Sequence, residues 1–139
     1  MEFRFPYRGM TPRAWMRLDF RAPDGTTHTF DLMVDTGSDD AIVLRKSAFD
    51  LITHGIASSY FSSWGFMLGG WLDIDMSACG LVQRVHGYSN YNLSVGVAAS
   101  DPNFMGLVGL PILRLAEYGG NATDFWFRYP PTSTSTSQP

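Results

Sequence analysis

Asp31-Leu32-Met33-Val34-Asp35-Thr36-Gly37-Ser38-Asp39-Asp40-Ala41-Ile42-Val43-Leu44 decides how the rest of the chain is read. An apolar strand runs from Leu32 to Val34, breaks at Asp35-Thr36-Gly37-Ser38 and resumes from Ala41 to Leu44. Asp35 therefore sits at the end of a buried strand, inside a tight turn that contains glycine. A carboxylate in that position must be given donors or a partner, because burying it bare is costly. Read as local structure alone, Asp35 is an Asx-turn residue capping the loop.

The strand before the loop is part of a hairpin. Met16, Leu18 and Phe20 alternate with Arg17, Asp19 and Arg21, which is the period of a half-buried strand. Pro23-Asp24-Gly25 is a turn signal, and Phe30, Leu32 and Val34 share one face of the strand that delivers Asp35 to its turn.

Downstream, Lys46–His54 is compatible with a helical turn. Tyr60–Met76 is rich in aromatic residues and glycine (Phe61, Trp64, Phe66, Trp71; Gly65, Gly69, Gly70) and reads as a hairpin turning near Met67–Gly70. Its second strand places Leu72, Ile74 and Met76 inward. Leu81–His86 reads as a strand ending in a turn at Gly87–Asn90, and Tyr91–Val97 as another strand, followed by a break at Ser100–Asn103. Met105–Gly109 is an apolar strand. Pro111 suits the first turn of a helix, predicted over Pro111–Tyr118 and stopped by Gly119-Gly120. Thr123–Tyr129 closes the pattern as a last strand. Many short strands and a single clear helix define an all-β domain.

The 139 residues fit one domain with a sizeable core. It is expected at residues 14–129, between an arm at 1–13 and a disordered Pro/Ser/Thr tail at 130–139. Five of the ten basic residues lie between Arg4 and Arg21, which reads as a solvated edge. A formal net charge of −3 gives no bulk attraction to nucleic acid or to anionic membranes, and neither is expected as a partner. No apolar run approaches the roughly 20 residues of a membrane-spanning helix. The single cysteine, Cys79, excludes an internal disulfide. With no basic-then-apolar leader at the start, the expected location is cytoplasmic. The Asn92 and Asn121 sequons then read as chance matches.

Several chemistries have no carrier. There is no Gly-x-Ser-x-Gly elbow, phosphate loop or His-Glu-x-x-His motif. His28, His54 and His86 stand apart in sequence, and Cys79 reads as a small buried residue. No metal or cofactor is expected. Carboxylates remain. Two of them sharing one proton can hydrolyse an amide, one acting as base toward water and the other as acid toward the carbonyl oxygen. Like charges about 3 Å apart cannot both ionise, so such a pair titrates as a unit. This chain has one Asp-Thr-Gly, and a two-fold homodimer is the economical way to bring two copies of Asp35 together.

Val34-Asp35-Thr36-Gly37-Ser38-Asp39-Asp40, with Ala41–Leu44 behind it, resembles the active-site loop of retropepsin-like aspartic proteases, the single-domain dimeric relatives of pepsin. The later part of that pattern is matched by Leu107-Val108-Gly109-Leu110-Pro111-Ile112-Leu113 and Asp124-Phe125-Trp126-Phe127, so the resemblance spans about Ala14 to Tyr129. It implies a retropepsin-like fold: a closed β-barrel-like domain with a flap hairpin and a short C-terminal helix. The activity implied is that of a homodimeric aspartic endopeptidase acting on peptides or proteins. Asp35 would be the catalytic carboxylate. Thr36 would bond across the dimer axis, and Gly37 would admit the substrate backbone. Ser38, Asp39 and Asp40 would line the subsite. Phe66, Met67, Gly69 and Gly70 would belong to the flap that closes over an extended peptide, and Gly109 would support the site. The terminal strand Thr123–Tyr129 and the arm at 1–13 would build the dimer sheet.

Viral members commonly carry Arg after the glycine matched by Gly109. This chain has Leu110 there, so Asp39 needs other support, a departure that points toward cellular bacterial members. Two alternatives stay open. One is a non-catalytic dimerisation or peptide-binding module with the same fold. The other is a protease that processes its own precursor, cut in the arm or the tail.

Overall fold

Strand alternation is realised first in β2 (Trp15–Arg21) and β3 (Thr27–Asp35), which pair antiparallel from Trp15↔Met33 to Arg21↔Thr27. The computed structural model describes residues 1–9, 12–62, 65–90 and 103–131. Gly25 takes a φ of 86° in the connecting turn, and the Asp24 carboxylate accepts the Thr26 N–H at 3.0 Å. Met16, Leu18 and Phe20 are buried, whereas Arg17 and Arg21 are exposed. The outer face is charged, with Arg17 donating to Asp31 at 2.8 Å and Arg21 paired with Asp75.

The sheet continues through β4 (Ile42–Leu44), β6 (Gly65–Met76), β7 (Leu81–Ser89) and β8 (Gly106–Gly109), in the order β2-β3-β8-β4-β7-β6. β6 returns to β2 through Phe20↔Ile74 and Arg21↔Asp73, closing a six-stranded barrel. Closure is short on this side, only two residue pairs long. Helix α1 (Lys46–Ile52) buries Ala48, Phe49 and Ile52 in the same core as Phe20, Leu72 and Ile74. The protein is all-β, as the alternation predicts.

A short strand, β5 (Tyr60–Ser62), adds to the first part of β6 and forms a hairpin with Ser62 opposite Gly65. Met67–Gly70 is therefore strand, and not the turn predicted there. Gly69 and Gly70 are instead interior to β6 and buried. The segment 53–58 crosses them, with Ala57 N–H donating to the Gly69 carbonyl at 2.9 Å. A Cβ on Gly69 would strike the Ser58 carbonyl oxygen, and one on Gly70 would press on Thr53, Gly55 and Phe49. These glycines make room for a second layer of backbone, a need that local spacing does not reveal.

Two further expectations are corrected for similar reasons. Gly87 is not in a turn: β7 runs through it to Ser89, and a Cβ there would collide with the Leu72 side chain. The predicted helix over Pro111–Tyr118 is only α2 (Leu110–Leu113), with Pro111 in its first turn as expected. The chain then enters β9 (Glu117–Gly120), which pairs with β10 (Asp124–Arg128). So short a helix has little intrinsic stability, and strand pairing overrides it. Gly119 leaves space for the Trp126 indole rather than ending a helix. The tight β9–β10 connection is an Asx turn, in which the Asn121 side-chain oxygen accepts the Thr123 and Asp124 N–H groups at 2.9 and 2.8 Å.

The expected arm contributes β1 (Glu2–Pro6), which pairs with β10 along its whole length. A second sheet, β1-β10-β9, thus forms within one chain, packing Phe3, Phe5, Phe125 and Phe127 on the core. Both edges of β10 are occupied. Within this chain the edges of that sheet are β1 and β9, so a sheet shared with a second copy would join through them and not through β10. The predicted strand Tyr91–Val97, the break around Ser100–Asp101-Pro102, Trp64, and the tail from residue 132 onward lie outside the described residues. Among the described residues, no helix is long and apolar enough to cross a membrane.

Carboxylates bonded to guanidinium groups give the fold an acid limit. Arg17 foremost, then Arg8, hold the Asp31 carboxyl below its ordinary 3.8 against partial desolvation. Arg84, with its bidentate bonds at 2.7 and 3.0 Å, does the same for Asp73, helped by His54 and Arg21. A carboxylate with a depressed folded value stabilises above its unfolded value and loses that contribution as pH falls through the folded one. The melting temperature is expected to be flat from about pH 7 to 5 and to fall below about pH 4. The Asp73→Asn protein should show a shallower acid decline in thermal scans.

Candidate active site

Asp35 is the last residue of β3 and stands in parallel register with Gly109, the last residue of β8. The chain leaves β3 at Asp35, arches over the end of β8 and returns on its other side as β4, antiparallel to β8. Two strands thus flank a third, and the loop 36–41 bridges its end. Gly109 N–H donates to the Ala41 carbonyl at 2.9 Å, and Leu110 N–H donates to the Ser38 carbonyl at 3.1 Å. Gly109 has a φ of −105°, ordinary extended backbone, so glycine is not required there for conformation. It is required for space, because a Cβ would run into the Asp40 carbonyl oxygen, with both oxygens of Ser38 about 3.0 Å away.

The loop supplies its own donors. Gly37 N–H donates to Asp35 Oδ1 at 3.0 Å, and Ser38 N–H donates to the Asp35 carbonyl at 3.1 Å. Ser38 Oγ donates to the Asp40 carbonyl at 3.1 Å and accepts the Asp40 N–H at 3.2 Å. Asp35 is half-buried, and Thr36 and Gly37 form an exposed apex.

Asp35, Gly37, Ser38, Asp39 and Asp40 line one side of a cleft of about 390 Å³. Val43 and Leu107 form its floor and Tyr60, Ser62 and Met67 its cover, with Asn90 completing the wall. The floor belongs to a second apolar cluster (Trp15, Met33, Val43, Met67, Phe104, Leu107), which packs on the opposite face of β3, β4 and β8 from the main core. These strands are buried on both faces near the loop, which holds Asp35 on a rigid platform. Asn90 Nδ2 donates to Met67 Sδ at 3.0 Å, tying the hairpin to the end of β7. No Lys, Arg or His lines this cleft among the described residues. Nor is any group of three or more His, Cys, Asp or Glu placed to hold a metal ion among them.

The structure brings together Asp35, Gly37, Ser38, Asp39, Asp40 and Met67, with Thr36 at the apex and Gly109 beneath. It separates Gly69 and Gly70, which are buried in β6, and it turns Phe66 outward, 44% exposed against the Phe61 ring. The hairpin residues that do face the cleft include Tyr60 and Ser62, which the sequence reading missed. The deciding fact is the pairing of Ser62 with Gly65. With that register, alternation puts Tyr60, Ser62 and Met67 on one face and Phe61 and Phe66 on the other.

Tyr60 reaches the loop from the hairpin. Its hydroxyl donates to Asp40 Oδ2 at 2.9 Å. Loss of solvent at the cleft, then the bond to Asp40, push the Tyr60 hydroxyl up to about 12. It stays a protonated donor throughout the neutral range. Burial, with Asp40 nearby, raises Tyr88 in the same sense. Asp39 is exposed, and no hydrogen bond or ion pair reaches its carboxylate among the described residues.

His28 stacks on Phe30, His54 bonds to the Arg21 carbonyl and His86 packs between Trp71 and Tyr88, all outside this cleft. Cys79 is partly buried, with its thiol 3.3 Å from the Met76 carbonyl. Barrel and cleft define an all-β protein with an acidic, hairpin-covered groove. No protein-family model matches this chain, and no curated protein or solved structure matches it.

Proposed function

We propose that the chain is one half of an aspartic endopeptidase of retropepsin-like fold, completed by a second copy. The observation that carries this reading is the placement of Asp35: a carboxylate fixed at a strand end, fed by a backbone donor, opening into a covered cleft with no cation beside it among the described residues. Two copies of Asp35 facing each other across a two-fold axis share one proton. The ionised carboxylate takes a proton from water as the oxygen attacks the amide carbon, and the protonated one gives its proton to the carbonyl oxygen. Collapse of the tetrahedral intermediate breaks the C–N bond as the carboxyl that took water's proton delivers it to the nitrogen and the other carboxylate takes back the hydroxyl proton. The exposed apex at Thr36 and Gly37 is the surface offered to the second copy and to the substrate backbone. The substrate is an extended peptide or protein segment, and a cytoplasmic setting with no cofactor accords with this chemistry.

A peptide-library cleavage profile taken across pH, with the Asp35→Ala protein as control, tests the proposal. Cleavage should peak on the acid side, and activity per chain should rise with protein concentration as dimers form. Absence of cleavage at every pH and concentration would refute it.

One observation favours the second reading, a peptide-binding module without turnover. The sheet β1-β10-β9 is completed within one chain, so a dimer joined through β10 has no edge to use. Sedimentation equilibrium discriminates: a monomer at all concentrations that still binds peptide supports the module.

A further inference from the structure

The β5–β6 hairpin covers the cleft, yet only three residue pairs join its strands, Tyr60↔Met67, Phe61↔Phe66 and Ser62↔Gly65. A hairpin that small is not stable alone, so contacts to the body must set its position. Met67 anchors one strand in the apolar floor, where Asn90 also holds it. On the other strand, Tyr60 reaches Asp40. Asp40 is itself built into the Asp35 loop, through Ser38 and through its carbonyl oxygen lying over Gly109. The Tyr60 ring is braced on its far side. It stands edge-on to Tyr88 at 5.0 Å and 90°, Tyr88 is edge-on to His86 at 4.7 Å, and His86 rests against Trp71 at 5.2 Å. Gly69 makes room for this row, since a Cβ there would sit 3.0 Å from both His86 and Tyr88.

We propose that Tyr60 is the positioning residue of the cleft: its hydroxyl clips the hairpin to Asp40 and so sets the cover against the Asp35 loop for a bound peptide. The clip is a direct hydrogen bond between the hairpin and the Asp35 loop. Its role in holding substrate rests on the protease reading; the bond itself does not. A bond that sets the cover acts on how the peptide is held, so removing it weakens peptide binding more than it slows the chemical step.

Tyr60→Phe keeps the ring on Tyr88 and deletes the hydroxyl. Amide hydrogen exchange in residues 60–62 and 65–67 should quicken about tenfold, the scale of a hydrogen bond to a charged acceptor, while β2 and β3 keep their protection. Asp40→Ala should give the same increase, and the double variant no more than either single one, because both changes remove one interaction. In the peptidase assay Tyr60→Phe should raise KM by a similar factor with a much smaller change in kcat. Unchanged hairpin exchange in Tyr60→Phe, or effects of the two substitutions that simply add, would overturn the clip. If the unsubstituted chain cleaves no peptide while the exchange effects appear, the clip is supported and the protease reading is the one that fails.

Discussion

Replacing Asp35 with Asn or Ala is expected to lower peptide hydrolysis by at least about 10³-fold, the range set by removing a general acid–base group. Asn is the sharper variant. It nearly preserves the shape of Asp, and its amide oxygen can still accept the Gly37 N–H that now reaches Asp35 Oδ1 at 3.0 Å. What it lacks is the ability to hold or release a proton. The loop therefore stays formed, and the melting temperature should stay within the small change typical of a polar substitution away from the core. In a dimer the two copies fail together, and a mixed dimer with one Asp35 and one Asn should be as inactive as the double variant. Activity measured beside thermal unfolding separates chemistry from folding. A variant that melts normally and still cleaves would remove Asp35 from the mechanism.

Gly109→Ala should have the largest effect on the fold of the site, costing about 3 kcal/mol and lowering the melting temperature by roughly 10 °C. Alanine could adopt the backbone angles of Gly109 without strain. Its methyl group, however, would occupy the place of the Asp40 carbonyl oxygen, and the next nearest atoms include the backbone oxygen of Ser38. Backbone on both sides cannot swing away as a flexible side chain would. Relief requires the loop 36–41 to lift off β8, which breaks the Leu110 N–H to Ser38 carbonyl bond at 3.1 Å and displaces Asp35. Stability and activity should fall together, in contrast to Asp35→Asn. An unchanged melting curve would show that the loop can move aside without cost.

Much of the barrel is legible in the sequence because half-buried strands advertise themselves. The alternations at 16–20 and at 30–34 give two adjacent strands and their register, since a slip by one residue would turn every apolar side chain outward. The break at Asp35-Thr36-Gly37 marks the loop between two apolar segments for the same reason. The glycines were harder to read. Gly69, Gly70, Gly87, Gly119 and Gly120 all look like punctuation, yet they lie within strands where another part of the chain comes too close for a side chain. A turn and a close approach leave the same letter in the sequence. Misplacing the hairpin turn at Gly69-Gly70 assigned flap roles to buried positions and hid Tyr60 and Ser62.

The sequence by itself determined the all-β class, the strand that carries Asp35 and the loop that follows it, because these depend on neighbours a few residues apart. Tertiary structure decided what that loop meets. It set Gly109 under Asp40, closed the barrel through β2 and β6, filled both edges of β10 from the same chain, and brought Tyr60 to Asp40 across twenty residues. Those pairings depend on distance in space between segments far apart in the chain, and local periodicity carries no record of that distance.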